Sequence, residues 1–128
     1  MLSELAKYTA NTGMGIVTTA NTGLDGTGAL VTILTAAANG TFIKTVTVKT
    51  QSVGINQGML RLFIYDGVNT RLLMEIDTPI AGRSGPWASF SRIINLNYFL
   101  KAGDVLQAST QETKTFNVIA EGYDVSYP

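Results

Sequence analysis

The sequence predicts an all-β protein, an antiparallel sandwich of two sheets. From Ala29 onward, runs rich in β-branched and aromatic residues are separated by turn residues, at about the eight- to twelve-residue spacing that is typical of sandwiches. No segment shows the sustained period of a helix. The chain has 128 residues, which is the length of one domain and is enough to bury a core without disulfides or metals.

The elements divide into an N-terminal arm, residues 1–28, and a sandwich domain, residues 29–128. The arm is rich in glycine, so we expect it to be flexible unless contacts hold it, with one short strand at 15–19. The strands predicted in the domain are 29–36, 42–50, 59–65, 71–77, 89–97, 105–110 and 115–127. With the strand of the arm they number eight, which is the count of a jelly roll.

The clearest element is a hairpin. Residues 59–65 and 71–77 alternate with a period of two, and the Asp-Gly-Val-Asn sequence at 66–69 turns the chain back between them. One face of this hairpin is therefore expected to line the core. Phe63 and Tyr65 fall on the opposite face, where two aromatic side chains are either cross-strand partners or contact residues.

A loop at 78–87 contains two of the three prolines and the only tryptophan, so it is not a central strand. It is either a crossover between sheets or a binding surface. Trp87 either stacks on a sugar ring or a protein partner, or plugs one end of the sandwich. The candidate interaction residues of the whole chain are Trp87, Arg83, Phe63, Tyr65, Leu2 and Leu5.

The composition excludes several classes of chemistry. The chain has no cysteine and no histidine, so zinc sites built on those ligands, cysteine nucleophiles and Ser-His-Asp triads are ruled out, and we expect no cofactor and no metal. Nine Lys and Arg balance nine Asp and Glu, and only 14% of the residues are charged. Such a surface is either hidden against partners or covered by Thr, Ser, Asn and Gln.

Carboxylates are the main remaining acid–base groups. Asp25, Asp66 and Asp104 stand beside glycines, where a short side chain bonds the backbone of its own turn. Glu75 and Asp77 lie two residues apart on one face of a strand, as in a glycosidase pair or a calcium site, or simply as two solvated carboxylates. Because nothing else in the sequence supports catalysis, we predict that the protein is not an enzyme.

The sequence favours neither nucleic acid nor membrane as a partner. The Lys and Arg residues are spread singly along the chain instead of forming a basic cluster. The glycines at 23–28 lack the Lys-Ser/Thr ending of a phosphate loop. No apolar run approaches the roughly 18 residues of a membrane span, and the first residues lack the basic leader of a signal peptide.

Four phrases, in order along the chain, resemble the small jelly-roll virion proteins of tailed bacteriophages. They are Asn-Gly-Thr-Phe-Ile at 39–43, Gly-Met-Leu-Arg-Leu-Phe-Ile-Tyr-Asp-Gly at 58–67, Lys-Ala-Gly-Asp-Val-Leu-Gln-Ala-Ser-Thr at 101–110 and Asn-Val-Ile-Ala-Glu-Gly at 117–122. The resemblance covers about residues 39 to 122 and leaves out the arm.

The resemblance implies a structural role. It implies a capsid decoration (cement) protein, a head fibre or spike base, or a tail component, commonly a homotrimer, made in the host cytoplasm and located in the virion. Its expected partners are the major capsid protein or other virion proteins. The arm at 1–28 lies outside the resemblance, and our leading hypothesis is that it becomes ordered on a neighbouring subunit. The alternative is a carbohydrate-binding or receptor-binding module of a spike or tail, which would place a glycan against Trp87.

Overall fold

The computed structural model describes residues 7–50, 58–78 and 91–126, and the regular structure in these ranges is entirely β. The strands predicted beyond residue 28 are all present, with ends that differ from the prediction by at most three residues. The eight strands are β1 (Lys7–Val17), β2 (Val31–Thr35), β3 (Thr41–Thr50), β4 (Gly58–Tyr65), β5 (Thr70–Thr78), β6 (Ser91–Leu100), β7 (Val105–Thr110) and β8 (Phe116–Ser126).

The strands form two four-stranded sheets, with the orders β1-β8-β3-β6 and β2-β7-β4-β5. We call them the 1-8-3-6 sheet and the 2-7-4-5 sheet. All pairings within the two sheets are antiparallel, and each sheet takes strands from both halves of the chain. This is the double Greek key of a jelly roll, so the predicted fold class is confirmed.

The core lies between the two sheets and is built from alternate residues of their strands. Val46 and Val48 of β3 and Leu60 and Leu62 of β4 have no exposed surface. Because successive residues of a strand point to opposite faces, their polar neighbours in sequence, such as Thr47, point outward. Each buried aliphatic side chain contributes about 1.5–3 kcal/mol relative to an exposed one.

Strand β1 is longer than the sequence predicts, since it begins at Lys7 and not at residue 15. The reason is that glycine occupies its inward positions, so no apolar alternation is visible there. A Cβ atom on Gly13 would collide with the carbonyl oxygen of Ile33 in β2, and one on Gly15 would lie 2.7 Å from Cδ1 of the same residue. Glycine therefore allows β1 to approach β2 and close this side of the sandwich.

The β4–β5 hairpin is held at its turn by Asp66. Its Oδ1 accepts hydrogen bonds from the amides of Asn69 (2.7 Å) and Val68 (2.9 Å), and its Oδ2 accepts one from Arg71 (2.8 Å). Gly67 has φ 97°, a conformation that favours glycine. These bonds stabilise the charged carboxylate and hold the pKa of Asp66 well below its usual range.

The other two predicted turn aspartates behave in the same way. Asp25 Oδ1 accepts hydrogen bonds from the hydroxyl of Thr27 (2.7 Å) and from its amide (3.1 Å), which lowers the pKa of Asp25. Asp104 Oδ2 accepts one from the amide of Lys101 (3.2 Å). The prediction that these carboxylates serve their own turns is confirmed.

Replacing Gly13 by Ala should lower the free energy of unfolding by about 1–3 kcal/mol, because the added methyl group overpacks the contact between β1 and β2. The matched control is Thr12→Ala, one residue away on the opposite face of the same strand, which should change stability by less than about 0.5 kcal/mol. Urea unfolding of the two variants measures the difference. Equal stabilities would contradict the close approach of β1 and β2.

The stability difference between the wild type and Asp66→Asn should depend on pH. The folded-state pKa of Asp66 lies below its ordinary value of 3.8, so the stabilisation by the carboxylate is complete above that value and is lost as the pH falls through the folded-state pKa. Urea unfolding at several pH values between about 5 and 2 should therefore show the advantage of the wild type shrinking with acid. A difference that stays constant over this range would argue against the turn geometry.

Candidate interaction surface

The outer face of the 1-8-3-6 sheet has side chains aligned in rows that cross all four strands. Strand register places Met14 beside Ile119, Ile119 beside Thr47, and Thr47 beside Ile93. We call these four residues the apolar row. Its two ends are the most open, since Met14 is 69% exposed and Ile93 is 68% exposed.

A second row, the aromatic row, crosses the same face toward one end of the sheet. It consists of Ala10, Tyr123, Phe42 and Phe99, each beside the next in the register. The ring of Tyr123 lies 5.4 Å from that of Phe42 and 5.0 Å, edge to face, from that of Tyr8. Such aromatic pairs add about 0.5–1.5 kcal/mol each beyond the area that they bury.

A polar row separates the two and gives the face its pattern. It consists of Thr12, Glu121, Thr45 and Asn95. Lys44 is the extra residue of a bulge in β3 at this level, and it lines a shallow depression together with Glu121. The face thus offers apolar contact on both sides of a band that has hydrogen-bonding groups and both signs of charge.

The large apolar side chains that remain exposed concentrate on the two outermost strands of this sheet. Strand β1 exposes Tyr8, Met14 and Ile16, and strand β6 exposes Ile93, Tyr98 and Phe99. All but Tyr98 lie on the outer face by register. Each edge strand thus carries a group of exposed apolar side chains, and exposed apolar patches mark interaction sites.

The outer face of the 2-7-4-5 sheet is different because residues 18–30 cover it. The amide of Asn21 donates to the carbonyl oxygen of Thr110 (2.8 Å), and Arg61 Nη1 donates to the carbonyl oxygen of Asn21 (3.4 Å). Gly26 then lies against the side chain of Thr70 at the start of β5. We call residues 18–30 the covering segment, and it lies against the sheet at Thr110 and Arg61 and again at Thr70.

This arrangement corrects the expectation for Phe63. The residue lies outside the core cluster, as the alternation predicts, but its side chain has no exposed surface and is not available to a partner. Sequence alternation gives the face of a strand and does not reveal that a distant segment lies over that face. Tyr65 is half-buried, and its hydroxyl donates to the carbonyl oxygen of Gly67 (3.0 Å) in its own hairpin.

The covering segment is folded around Asn21, which explains how a glycine-rich stretch is held. The Asn21 amide group donates to the carbonyl oxygens of Thr27 (2.9 Å) and Ala29 (2.9 Å), and its oxygen accepts from the amide of Gly23 (2.9 Å). Below it, Arg61 is only 6% exposed. Its guanidinium donates to the carbonyl oxygen of Asn21, to Gln111 Oε1 (3.1 Å) and to Glu75, with an Nε–Oε2 distance of 2.9 Å to the carboxylate.

One of the two acidic residues on β5 forms a salt bridge that stabilises the sheet. Glu75 and Asp77 do share one face, but Glu75 forms the salt bridge with Arg61 on the neighbouring strand. Within residues 7–50, 58–78 and 91–126, no group of three or more acidic side chains is placed to hold a metal ion. No helix in these ranges is long and apolar enough to cross a membrane.

A small cleft lies between β5 and β6. Leu72, Leu73 and Tyr98 form its apolar part, and Asp66 and Asp104 belong to its polar rim. Both carboxylates accept hydrogen bonds within their turns, so they are already used in stabilising the fold.

Four of the predicted interaction residues, Trp87, Arg83, Leu2 and Leu5, lie outside the described residues, as does the loop after Thr78. Their roles therefore stay predictions. Sequence reasoning missed the exposed residues of the apolar row. The only signal in the sequence is that Thr12, Met14 and Ile16 alternate with a period of two and so fall on one face of a strand. The glycines between them obscure this alternation.

Asn21→Ala should lower the free energy of unfolding by about 1–3 kcal/mol, because it leaves two carbonyl groups and one amide of the covering segment without their partner. It should also speed amide hydrogen exchange in β4 beneath the segment. Leu24→Ala, at a position of the same segment that is 53% exposed, is the control and should change neither quantity. Unchanged exchange in Asn21→Ala would show that the segment is held by something else.

No protein-family model and no curated protein matches the chain. Among the solved structures that are similar to it are two crystal structures of a pentameric capsid protein isolated from metagenomic phage sequences, one of them solved by iodide SAD phasing. Each is 19% identical with a TM-score of 0.39, and each match covers 92% of this chain. The chain spans 66% of the length of the first and 69% of the second, so the first is matched over slightly less than two thirds of its length.

Proposed function

We propose that this protein is a non-enzymatic structural protein of a phage virion, a capsid decoration protein that binds the major capsid lattice through the outer face of its 1-8-3-6 sheet. The observation on which the proposal rests is the pattern of that face, an apolar row and an aromatic row on either side of a polar row. The virion location, synthesis in the host cytoplasm and assembly as a homotrimer belong to the same proposal.

The chemistry of the face suits binding to a protein lattice. The partly or largely exposed side chains of Met14, Ile119 and Ile93 supply apolar area, which drives association. The polar row between the two apolar rows supplies donors and acceptors, and such groups fix the register of a contact more than they strengthen it. By register the face carries Lys49 as well as Lys44 and Glu121, so it has charges of both signs.

The size of the face is also sufficient. Four strands about 4.8 Å apart and about ten residues long, at about 3.3 Å per residue, present roughly 600 Å². A stable protein interface buries about 800 Å² on each partner, so this face supplies most of one interface and the ends of the sandwich need to add little. Zero net charge over the whole chain removes long-range repulsion between many copies on one particle.

The alternative function, a carbohydrate-binding or receptor-binding module, depends on Trp87. That residue lies outside the described residues, so the alternative stays a prediction. Replacing Trp87 by Ala and comparing glycan-array binding with the unmodified protein is its direct test.

Ile119→Lys should weaken binding to capsids by at least about tenfold, since it places a charge in the middle of the apolar row, where a bound partner would bury it. The assay is co-sedimentation with capsids assembled from the major capsid protein of the same phage. Thr47→Lys, one strand away, should have the same effect.

The control is Val68→Lys, in the β4–β5 turn, where the side chain is 83% exposed and lies far from this face. It should bind as tightly as the wild type, and circular dichroism checks that all variants fold. Absence of wild-type co-sedimentation, or equal binding by Ile119→Lys and Val68→Lys, would contradict the proposed function.

A further inference from the structure

Strands β1 and β6 are the two edges of the 1-8-3-6 sheet, and within the described part of the chain neither has a partner on its outer side. Because every pairing in the order β1-β8-β3-β6 is antiparallel, β1 and β6 run in opposite directions. A second copy placed beside the first in the same orientation would therefore bring its β6 against β1 as an antiparallel neighbour. We propose that copies of this chain assemble head to tail by pairing β1 of one copy with β6 of the next, so that the sheet continues from copy to copy.

Both edges have few of the features that normally prevent such pairing. Edge strands are usually short, or they are protected by charged residues, proline or bulges. β1 has 11 residues, with no proline and no charged residue after Lys7, and β6 has 10 residues with Arg92 as its one charge. The irregularity of β6, at Asn97 with φ 50°, lies toward its end and leaves 91–95 regular.

The side chains of the two edges match in one register. Met14 and Ile93 end the same row, so a copy added without stagger places Met14 opposite Ile93 of the next copy. The same rows place Thr12 opposite Asn95 of the next copy and Ala10 opposite Phe99 of the next copy. Apolar side chains then face apolar ones at Met14 and at Ala10, and polar faces polar at Thr12, which are favourable cross-strand combinations.

Other registers are worse. A shift by one residue would turn the outward side chains of one copy toward the inner side of the joined sheet. A shift by two would place Met14 opposite Asn95 or Ser91 of the next copy and lose the apolar pair. The exposed apolar residues of β1 and β6 therefore match in the unstaggered register. The partner that we propose for each edge is a second copy of this chain, which brings the complementary edge strand.

The contact joins two different surfaces, so it is heterologous. Repeated, it closes into a ring if the rotation between copies allows, and otherwise grows as a filament. In either case the apolar row of one copy runs on into the apolar row of the next. The contact between β1 and β6 joins copies of this chain and requires no capsid.

A charge exchange tests the pairing. Met14→Lys should reduce the mass in solution, measured by light scattering after gel filtration, from that of an oligomer to the 13.7 kDa of one chain. Ile93→Glu should do the same. The double variant Met14→Lys with Ile93→Glu should restore the oligomer, because opposite charges then face each other between copies while three strand spacings separate them within one copy.

The absence of cysteine from the chain allows a second test that changes little at each site. The double variant Thr12→Cys with Asn95→Cys should give a ladder of disulfide-linked chains on oxidation. Each single variant, and Thr12→Cys combined with Val68→Cys, should give no ladder. A further double variant, Thr12→Cys with Ser91→Cys, tests the register. It should cross-link poorly, whereas a slipped pairing would bring these two positions together.

The results that would overturn the pairing are specific. A wild-type protein that is monomeric at high concentration, a Met14→Lys variant that keeps the wild-type mass, or a Thr12→Cys/Asn95→Cys variant without a ladder would each do so. These outcomes are independent of the proposed function, because an oligomer that fails to bind capsids would refute the capsid role alone. Conversely, a monomer that binds capsids would refute the edge pairing alone.

Discussion

The pairing of β1 with β8 is the constraint on which the rest of the structure depends. Every residue from Lys7 to Val17 has a partner between Phe116 and Ser126, without a bulge. A slip of one residue would turn Gly13 and Gly15 outward and drive Met14 and Ile16 toward β2, where there is space only for glycine. The register is thus fixed by the absence of side chains on one face, and it determines which side chains form the rows on the other.

Most of the fold follows from local signals in the sequence. The β4–β5 hairpin and its Asp66 turn could be predicted because alternation and turn chemistry act within a few residues. Strand β1 was underestimated because its stability comes from β8, more than a hundred residues away in sequence, and not from its own propensity. Local composition does not contain that information.

The interaction surface was harder to predict than the fold, for a related reason. The apolar row takes one residue from each of four strands, and those strands are adjacent only after the chain has folded, as with Met14 and Ile119. Phe63 shows the reverse effect, since a residue on an outer face became buried when a distant segment crossed over it. The alternation of residues predicts which face of a strand a side chain lies on. Only the folded topology shows which face of the sheet remains exposed to solvent.

Both outer faces of the sandwich depend on contacts between residues that are far apart in sequence, and these contacts form late in the synthesis of the chain. The covering segment is anchored at Thr110, and Asn11 bonds Asp124 at a separation of 113 residues. On a ribosome, β1 cannot reach β8, and the covering segment cannot reach Thr110, until nearly all of the chain has emerged. Such long-range pairing makes folding slow, and the N-terminal residues must wait in an extended state. Their content of Thr, Asn and Gly, which obscures β1 in the sequence, lowers the risk that the waiting segment aggregates before β8 arrives.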